Sequence, residues 1–165
     1  MGVVNTLSNA ITNADASPRV PNSSYIEGGI LRASVATVEV AAADSDGSVY
    51  RFFRLPSGAR IHKMMVFCDA ITSGTSFDCG IYQTAANGGA VVDADAYASA
   101  VDLSSAITTG TNIQFEARNI DKIEKRVWED AGLSADSYRE YDICLTANTV
   151  GSAAGTISML LEYTI

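Results

Sequence analysis

Val49-Tyr50-Arg51-Phe52-Phe53-Arg54-Leu55, then Pro56-Ser57-Gly58, then Arg60 through Gln83: this stretch decides the fold. It reads as three strands joined by two short turns. The first run is dense in aromatic and β-favouring residues. Pro56 fixes φ and Gly58 is free to take a positive one, so Pro56-Ser57-Gly58 breaks the run. Arg60 to Cys68 resumes as a second strand, and Thr72-Ser73-Gly74-Thr75 turns the chain again. Ser76 to Gln83 alternates, with Phe77, Cys79 and Ile81 on one face and Asp78, Gly80 and Tyr82 on the other. In the second strand both faces are apolar: Ile61, Met65 and Phe67 against Met64, Val66 and Cys68. A strand of that kind expects cover on both sides. One cover is the opposite sheet; the other is an arm or a neighbouring subunit.

Working towards the N-terminus, Ile30 to Val40 reads as a strand with Ala36, Val38 and Val40 on one face. Asp44-Ser45-Asp46-Gly47 closes it as an Asp-Gly turn; a calcium loop would need a third acidic position and a distal Glu. Residues 1–25 form a separate arm, rich in Asn, Ser, Thr and Ala and carrying Pro18 and Pro21. Val3 to Ala14 is at best a weak helix, too short to hold alone. Val3, Val4, Leu7, Ile11 and Val20 are its candidate interaction residues, because they can be buried only against something else. Met1-Gly2 with Thr6 matches a myristoylation pattern and Asn22-Ser23-Ser24 a glycosylation sequon. Both patterns are short and neither has supporting context, so we read neither as functional.

Working towards the C-terminus, Asn87-Gly88-Gly89 is a turn. Val91 to Leu103 is ambiguous: Asp93 and Asp95 suit either a helix N-terminus or a weak cation site. Thr111 to Glu116 reads as a short strand. Asn119 to Gly132 predicts an amphipathic helix, with Ile120, Ile123, Val127 and Ala131 as its stripe and Trp128 bordering it. Asn119 is its expected N-cap, Asp121–Lys125 and Lys125–Glu129 its charge pairs, and Gly132-Leu133 a Schellman stop. Tyr141 to Asn148 alternates, with Asp142, Cys144, Thr146 and Asn148 expected outward. Thr156 to Ile165 is the clearest strand, with Ile157, Met159, Leu161, Tyr163 and Ile165 on one face. About eight strands and one inserted helix fit an antiparallel two-sheet sandwich, in which the jelly roll is the commonest eight-stranded form. A different Greek-key sandwich is the alternative.

Composition limits function. The 165 residues suit one domain over residues 26–165 plus the arm. Charged residues make up only 18% of the chain, below the usual quarter or so. The net charge of −8, from 19 acids against 11 bases, argues against nucleic acid and anionic membranes as partners. No apolar run approaches the ~20 residues of a membrane span, and no signal peptide is expected. The three cysteines, Cys68, Cys79 and Cys144, are odd in number and have no CxxC spacing. We therefore expect free buried thiols, although Cys68 and Cys79 fall on strands predicted to be neighbours. His62 is the only histidine and accompanies no nucleophile signature, so a structural hydrogen bond is its expected role.

Several motifs carry a family resemblance: Arg51-Phe52-Phe53-Arg54, Pro56-Ser57-Gly58-Ala59-Arg60, Gly80-Ile81-Tyr82, Gly88-Gly89-Ala90-Val91-Val92-Asp93, Trp128-Glu129 with Gly132-Leu133, and Tyr141-Asp142-Ile143. In order and texture the chain from Tyr50 onwards resembles capsid decoration, or cement, proteins of tailed bacteriophages with a jelly-roll core. The resemblance implies a virion protein on the capsid exterior, assembled in the bacterial cytoplasm. Its partner would be the major capsid protein, whose neighbouring subunits it clamps. The resemblance brings no catalytic residue, cofactor or metal. A homo-oligomer, dimer or trimer, is expected because closed symmetry is the common rule. The alternative is a carbohydrate-binding or host-recognition module on a virion, for which Tyr97, Tyr138 and Trp128 are the available aromatics. An enzyme has the least support.

Overall fold

The computed structural model describes residues 6–22, 29–71 and 74–165. Its contacts divide the chain into two units, Met1–Ile30 and Leu31–Ile165. In the first unit, helix α1 covers Asn9–Asp15. Ser8 caps it, its Oγ accepting from the Ile11 N–H, and no residue of the helix is buried. The chain doubles back after it: the Val20 N–H donates to the Asn13 carbonyl and the Asn13 amide to Asn22 Oδ1.

The second unit has eight strands: β1 (Arg32–Val40), β2 (Val49–Pro56), β3 (Arg60–Cys68), β4 (Ser76–Gln83), β5 (Val91–Asp102), β6 (Ile107–Asn112), β7 (Glu140–Thr149) and β8 (Gly155–Thr164). They form two antiparallel sheets, ordered β1-β8-β3-β6 and β2-β7-β4-β5. The ladders join β1 to β8, β2 to β7, β3 to β6 and β4 to β5. First pairs with last, second with second-last, and so inwards. A long hairpin rolled into a sandwich has this order, so the jelly roll holds and the other Greek-key form does not.

The inward faces make one core. Ile61, Met64, Val66, Ile157, Met159 and Leu161 from the first sheet oppose Phe53, Leu55, Phe77, Cys79, Ile81, Ile143 and Leu145 from the second. Tyr50 meets Phe77 edge-on, with centroids 5.9 Å apart. Each large apolar side chain taken from water contributes about 1.5–3 kcal/mol.

Two bulges change the expected faces. The register of β2 shifts between Arg51 and Phe53, which turns Tyr50, Phe53 and Leu55 all inward. That of β3 shifts between Ile61 and Lys63. Ile61 therefore joins Met64, Val66 and Cys68 inside, instead of siding with Met65 and Phe67 as strict alternation predicts. Cys68 and Cys79 lie in opposite sheets and not on paired strands, because β3 and β4 separate into the two layers. Val91 to Asp102 is a strand, and the strand expected at Thr111–Glu116 lies earlier, at Ile107–Asn112.

The helix expected over 119–132 breaks into a 3-10 turn, Ile120–Lys122, and a single α turn, α2, Val127–Asp130. Backbone partners from the β2–β3 turn explain the break. The Val127 N–H donates to the Ala59 carbonyl and the Trp128 N–H to that of Ser57, and Arg126 bridges to Arg60. These bonds hold Arg126 extended, so a continuous helix cannot pass through it. Glu129 consequently caps the Arg126 N–H instead of pairing with Lys125, and the side chain of Asn119 caps nothing. Ile120, on the expected stripe, is exposed. The Schellman stop is present: Leu133 N–H bonds to Trp128 O and Gly132 N–H to Glu129 O, with Gly132 at φ +71°. A buried ion pair of Arg118 with Asp130 ties the segment down. Burial pushes the Asp130 carboxyl up, against the pull of Arg118.

Candidate functional site

The outward face of the β1-β8-β3-β6 sheet carries the arrangement that most resembles a contact surface. Val35 on β1 stands opposite Leu160 on β8, and Leu160 opposite Met65 on β3. In the next row, Thr37, Ser158 and Phe67 align in the same way. An apolar row of Val35, Leu160 and Met65 thus crosses three strands, with Phe67 beside it. Val35 is 72% exposed, and Leu160, Met65 and Phe67 are half-buried. Met65 and Phe67 continue across β6 because Gly110 offers no side chain there. This is the second apolar face anticipated for the strand at Arg60–Cys68.

Polar groups rim the row. Thr37 Oγ1 and Ser158 Oγ are 2.8 Å apart. The Thr156 hydroxyl donates to Glu39, and Lys63 stands 4.0 Å from Glu162. Beside Phe67 a shallow groove of about 270 Å³ runs between Asp69, Ile107, Thr108, Thr156 and Ser158. An apolar centre within a polar rim is the anatomy of a protein–protein contact. His62, at the β3 bulge, hydrogen-bonds Thr164 through Nε2 at 2.9 Å, the structural role expected of it. Burial, helped by nearby Arg60, holds its imidazole below the ordinary range.

The outward face of the other sheet is occupied by an internal network that the sequence does not announce. Asp142 on β7 was expected outward and is 3% exposed. Its carboxylate accepts from Arg51 at 2.8 Å and from Arg54 at 2.8 Å. Burial raises this carboxyl, but Arg54 and Arg51 together outweigh burial and hold it below the ordinary aspartate value. Arg51 also donates to the Gln83 and Gly89 carbonyls and lies over the Tyr82 ring. The arginine therefore ties β2 to β7 and fixes the Asn87-Gly88-Gly89 turn. Cys144, likewise expected outward, is fully buried, and burial pushes its thiol up to about 12.

The sequence-predicted interaction residues lie in the first unit. Leu7, Ile11 and Val20 are each about half exposed, at 52%, 48% and 47%. Val3 and Val4 fall outside the described residues. Of the aromatics available for a carbohydrate, Tyr97 is wholly buried and Trp128 is half-buried with its indole nitrogen enclosed. Tyr138 is 91% exposed, its backbone at φ +51° and its N–H held by Asp136. No group of three or more His, Cys, Asp or Glu side chains gathers among the described residues in a way that could hold a metal ion. No helix there is long and apolar enough to cross a membrane.

No family model matches the chain, and no curated protein does. Solved structures do share its fold. One is the capsid of Ralstonia phage GP4, with a TM-score of 0.59 and 15% identity over 82% of this chain and 84% of that one. Another is the capsid asymmetric unit of cyanophage Pam1, with a TM-score of 0.54 and 14% identity over 100% of this chain and 99% of that one.

Proposed function

We propose that this protein is a structural component of a bacteriophage virion. It binds the outer surface of the icosahedral capsid and clamps neighbouring major-capsid subunits. One observation carries the reading: the chain matches a chain of a phage capsid asymmetric unit over nearly the full length of both. A shared fold alone does not assign a role. Here the match joins a surface suited to protein contact and a chain of low charge content. The net charge of −8 favours a position away from packaged DNA.

The mechanism is mechanical. A clamp lying across two capsid subunits adds binding free energy that is lost before the subunits can separate. Contacts of modest strength, repeated in many symmetric copies and joined through the arm, gain from effective concentration. The outward face of the β1-β8-β3-β6 sheet and the exposed apolar residues of the arm, Leu7, Ile11 and Val20, are the surfaces we assign to those contacts. Protein analysis of purified particles tests the reading. We expect the chain in a fixed number of copies per shell, removable without releasing the major capsid protein. Its absence from particles would overturn the reading, and its presence without any gain in particle stability, together with glycan binding by the isolated chain, would favour a recognition module instead.

A further inference from the structure

The four sheet edges are protected unequally. β2 carries a bulge, two arginines and Pro56. β5 carries register shifts and three aspartates, Asp93, Asp95 and Asp102. β6 is only six residues long and contains Gly110 at φ +77°. Bulges, charges, prolines and short length are the devices that keep an edge strand from pairing with another chain. β1 has almost none of them. Its nine residues match β8 one for one with no register shift. It has no proline, and its two charges, Arg32 and Glu39, sit near opposite ends. Among the described residues its ladder runs to β8 alone. Val35, one residue from its middle, is the most exposed residue of the apolar row.

We propose that β1 pairs antiparallel with β1 of a second copy of this chain, with Val35 facing Val35 across a two-fold axis. The inference stands on the edge itself and does not depend on binding to a shell. A two-fold axis perpendicular to the sheet keeps inward side chains inward in both copies. Residues opposite one another must then share a face. Centring on Val35 meets that condition, setting Thr37 opposite Ala33 and Val38 opposite Arg32 of the other copy.

Charge distinguishes the two orientations. In the antiparallel one Arg32 stands opposite Val38 of the other copy, while Glu39 lies on the other face of β1, so no like charges are directly opposed. A parallel arrangement in register would set Arg32 on Arg32 and Glu39 on Glu39, and like charges directly opposite are destabilising. The pairing also joins the two apolar rows into one: Met65, Leu160 and Val35 of one copy continue into Val35, Leu160 and Met65 of the next. A single strand seam buries less than the ~1,200 Å² at the lower end of stable interfaces. The free dimer is therefore weak and concentration-dependent.

Cysteine cross-linking of the full chain tests the seam. Opposed residues of an antiparallel pair have Cα atoms roughly 4.5–5.5 Å apart, within reach of a disulfide. Val35→Cys should therefore form disulfide dimers on mild oxidation at least about tenfold faster than Val91→Cys, taking tenfold as the smallest rate difference that separates held from colliding pairs. Val91 is also exposed but lies on the protected β5 edge. A mixture of Ala33→Cys and Thr37→Cys chains should cross-link as a mixed dimer. In a second arm, Val35→Lys sets two ammonium groups at the axis and should abolish concentration-dependent dimer in sedimentation, with the melting temperature unchanged. Equal cross-linking of Val35→Cys and Val91→Cys, or a Val35→Lys chain that dimerises like the parent, would overturn the proposal.

Discussion

Phe67 rests where Gly110 has no side chain: a β-carbon built on Gly110 would stand 2.6 Å from Phe67 Cζ and 2.7 Å from Met65 Cε. The glycine lets the apolar row extend over β6, and its φ of +77° suits a residue without a β-carbon. Both obstructing atoms are the far ends of flexible side chains and can move. Gly110→Ala is therefore expected to lower stability by about 1–2 kcal/mol, mainly through the backbone conformation. Urea unfolding measures it; an unchanged midpoint would contradict the left-handed backbone at Gly110.

Gly80 is the harsher case. Its β-carbon would stand 2.1 Å from the Asp93 carbonyl oxygen and 2.3 Å from the Ala94 carbonyl carbon, which are backbone atoms of the paired strand. Strand separation has no flexible tip to give way. Gly80→Ala should cost ~3 kcal/mol or more, clearly above the loss at Gly110. If the two alanine variants unfold at the same urea concentration, the contact between β4 and β5 is not as described.

Asp142 should leave a signature in the acid limb of stability. Its folded carboxyl titrates below the ordinary value of 3.8 because Arg54 and Arg51 outweigh its burial. The contribution is complete above that ordinary value and is lost as pH falls through the lower folded one. Asp142→Asn should cost about 1–3 kcal/mol at pH 7. The difference from the parent should shrink as the solution is acidified below the ordinary value. A difference that stays constant down to pH 2 would show that the carboxylate charge is not what matters.

The thiols should be silent in the folded protein. Cys68, Cys79 and Cys144 are all free and buried. Burial pushes the Cys79 thiol far up, with Cys144 adding to the effect, and raises Cys68 as well. The thiolate is the reacting form, so native protein at pH 8 should react slowly with a disulfide reagent. Denatured protein, prepared without reductant, should titrate three thiols. A count of one would mean a disulfide.

Much of this architecture is legible in the sequence, and its failures have physical causes. Alternation in Tyr141–Asn148 and Thr156–Ile165 locates β7 and β8, because each buries one face against the core. The doubly apolar strand at Arg60–Cys68 announces an outward apolar surface. It does not reveal the row, which requires Val35 and Leu160 to fall in register with Met65 across strands distant in sequence. The bulges at Phe52 and His62 invert the faces on either side of them, and no local pattern marks them. The stripe from Ile120 to Ala131 has helical spacing, but the Ala59 and Ser57 carbonyls take the N–H groups of Val127 and Trp128. Asp142 looks like an outward strand residue until Arg51 and Arg54 arrive from β2.

The arm permits a separate prediction. Residues 1–25 carry apolar side chains without the periodicity to fold alone, and none of α1 is buried. Ordering such a segment against a shell costs entropy that buried apolar area must offset. Deleting residues 1–25 should leave the far-UV spectrum of the β domain intact and weaken particle binding by about tenfold or more, the loss of one linked contact. A truncated chain that fails to fold would place the arm in the domain core, and one that binds as well as the parent would remove it from the interface.

Adding the purified chain back to particles assembled without it tests the clamp most directly. Loss of packaged DNA on heating, followed by dye fluorescence against protein concentration, is the measurement. The account predicts saturable binding to the particle exterior and a rise in release temperature that follows occupancy. Particles that bind the chain to saturation and still release DNA at the original temperature would contradict it.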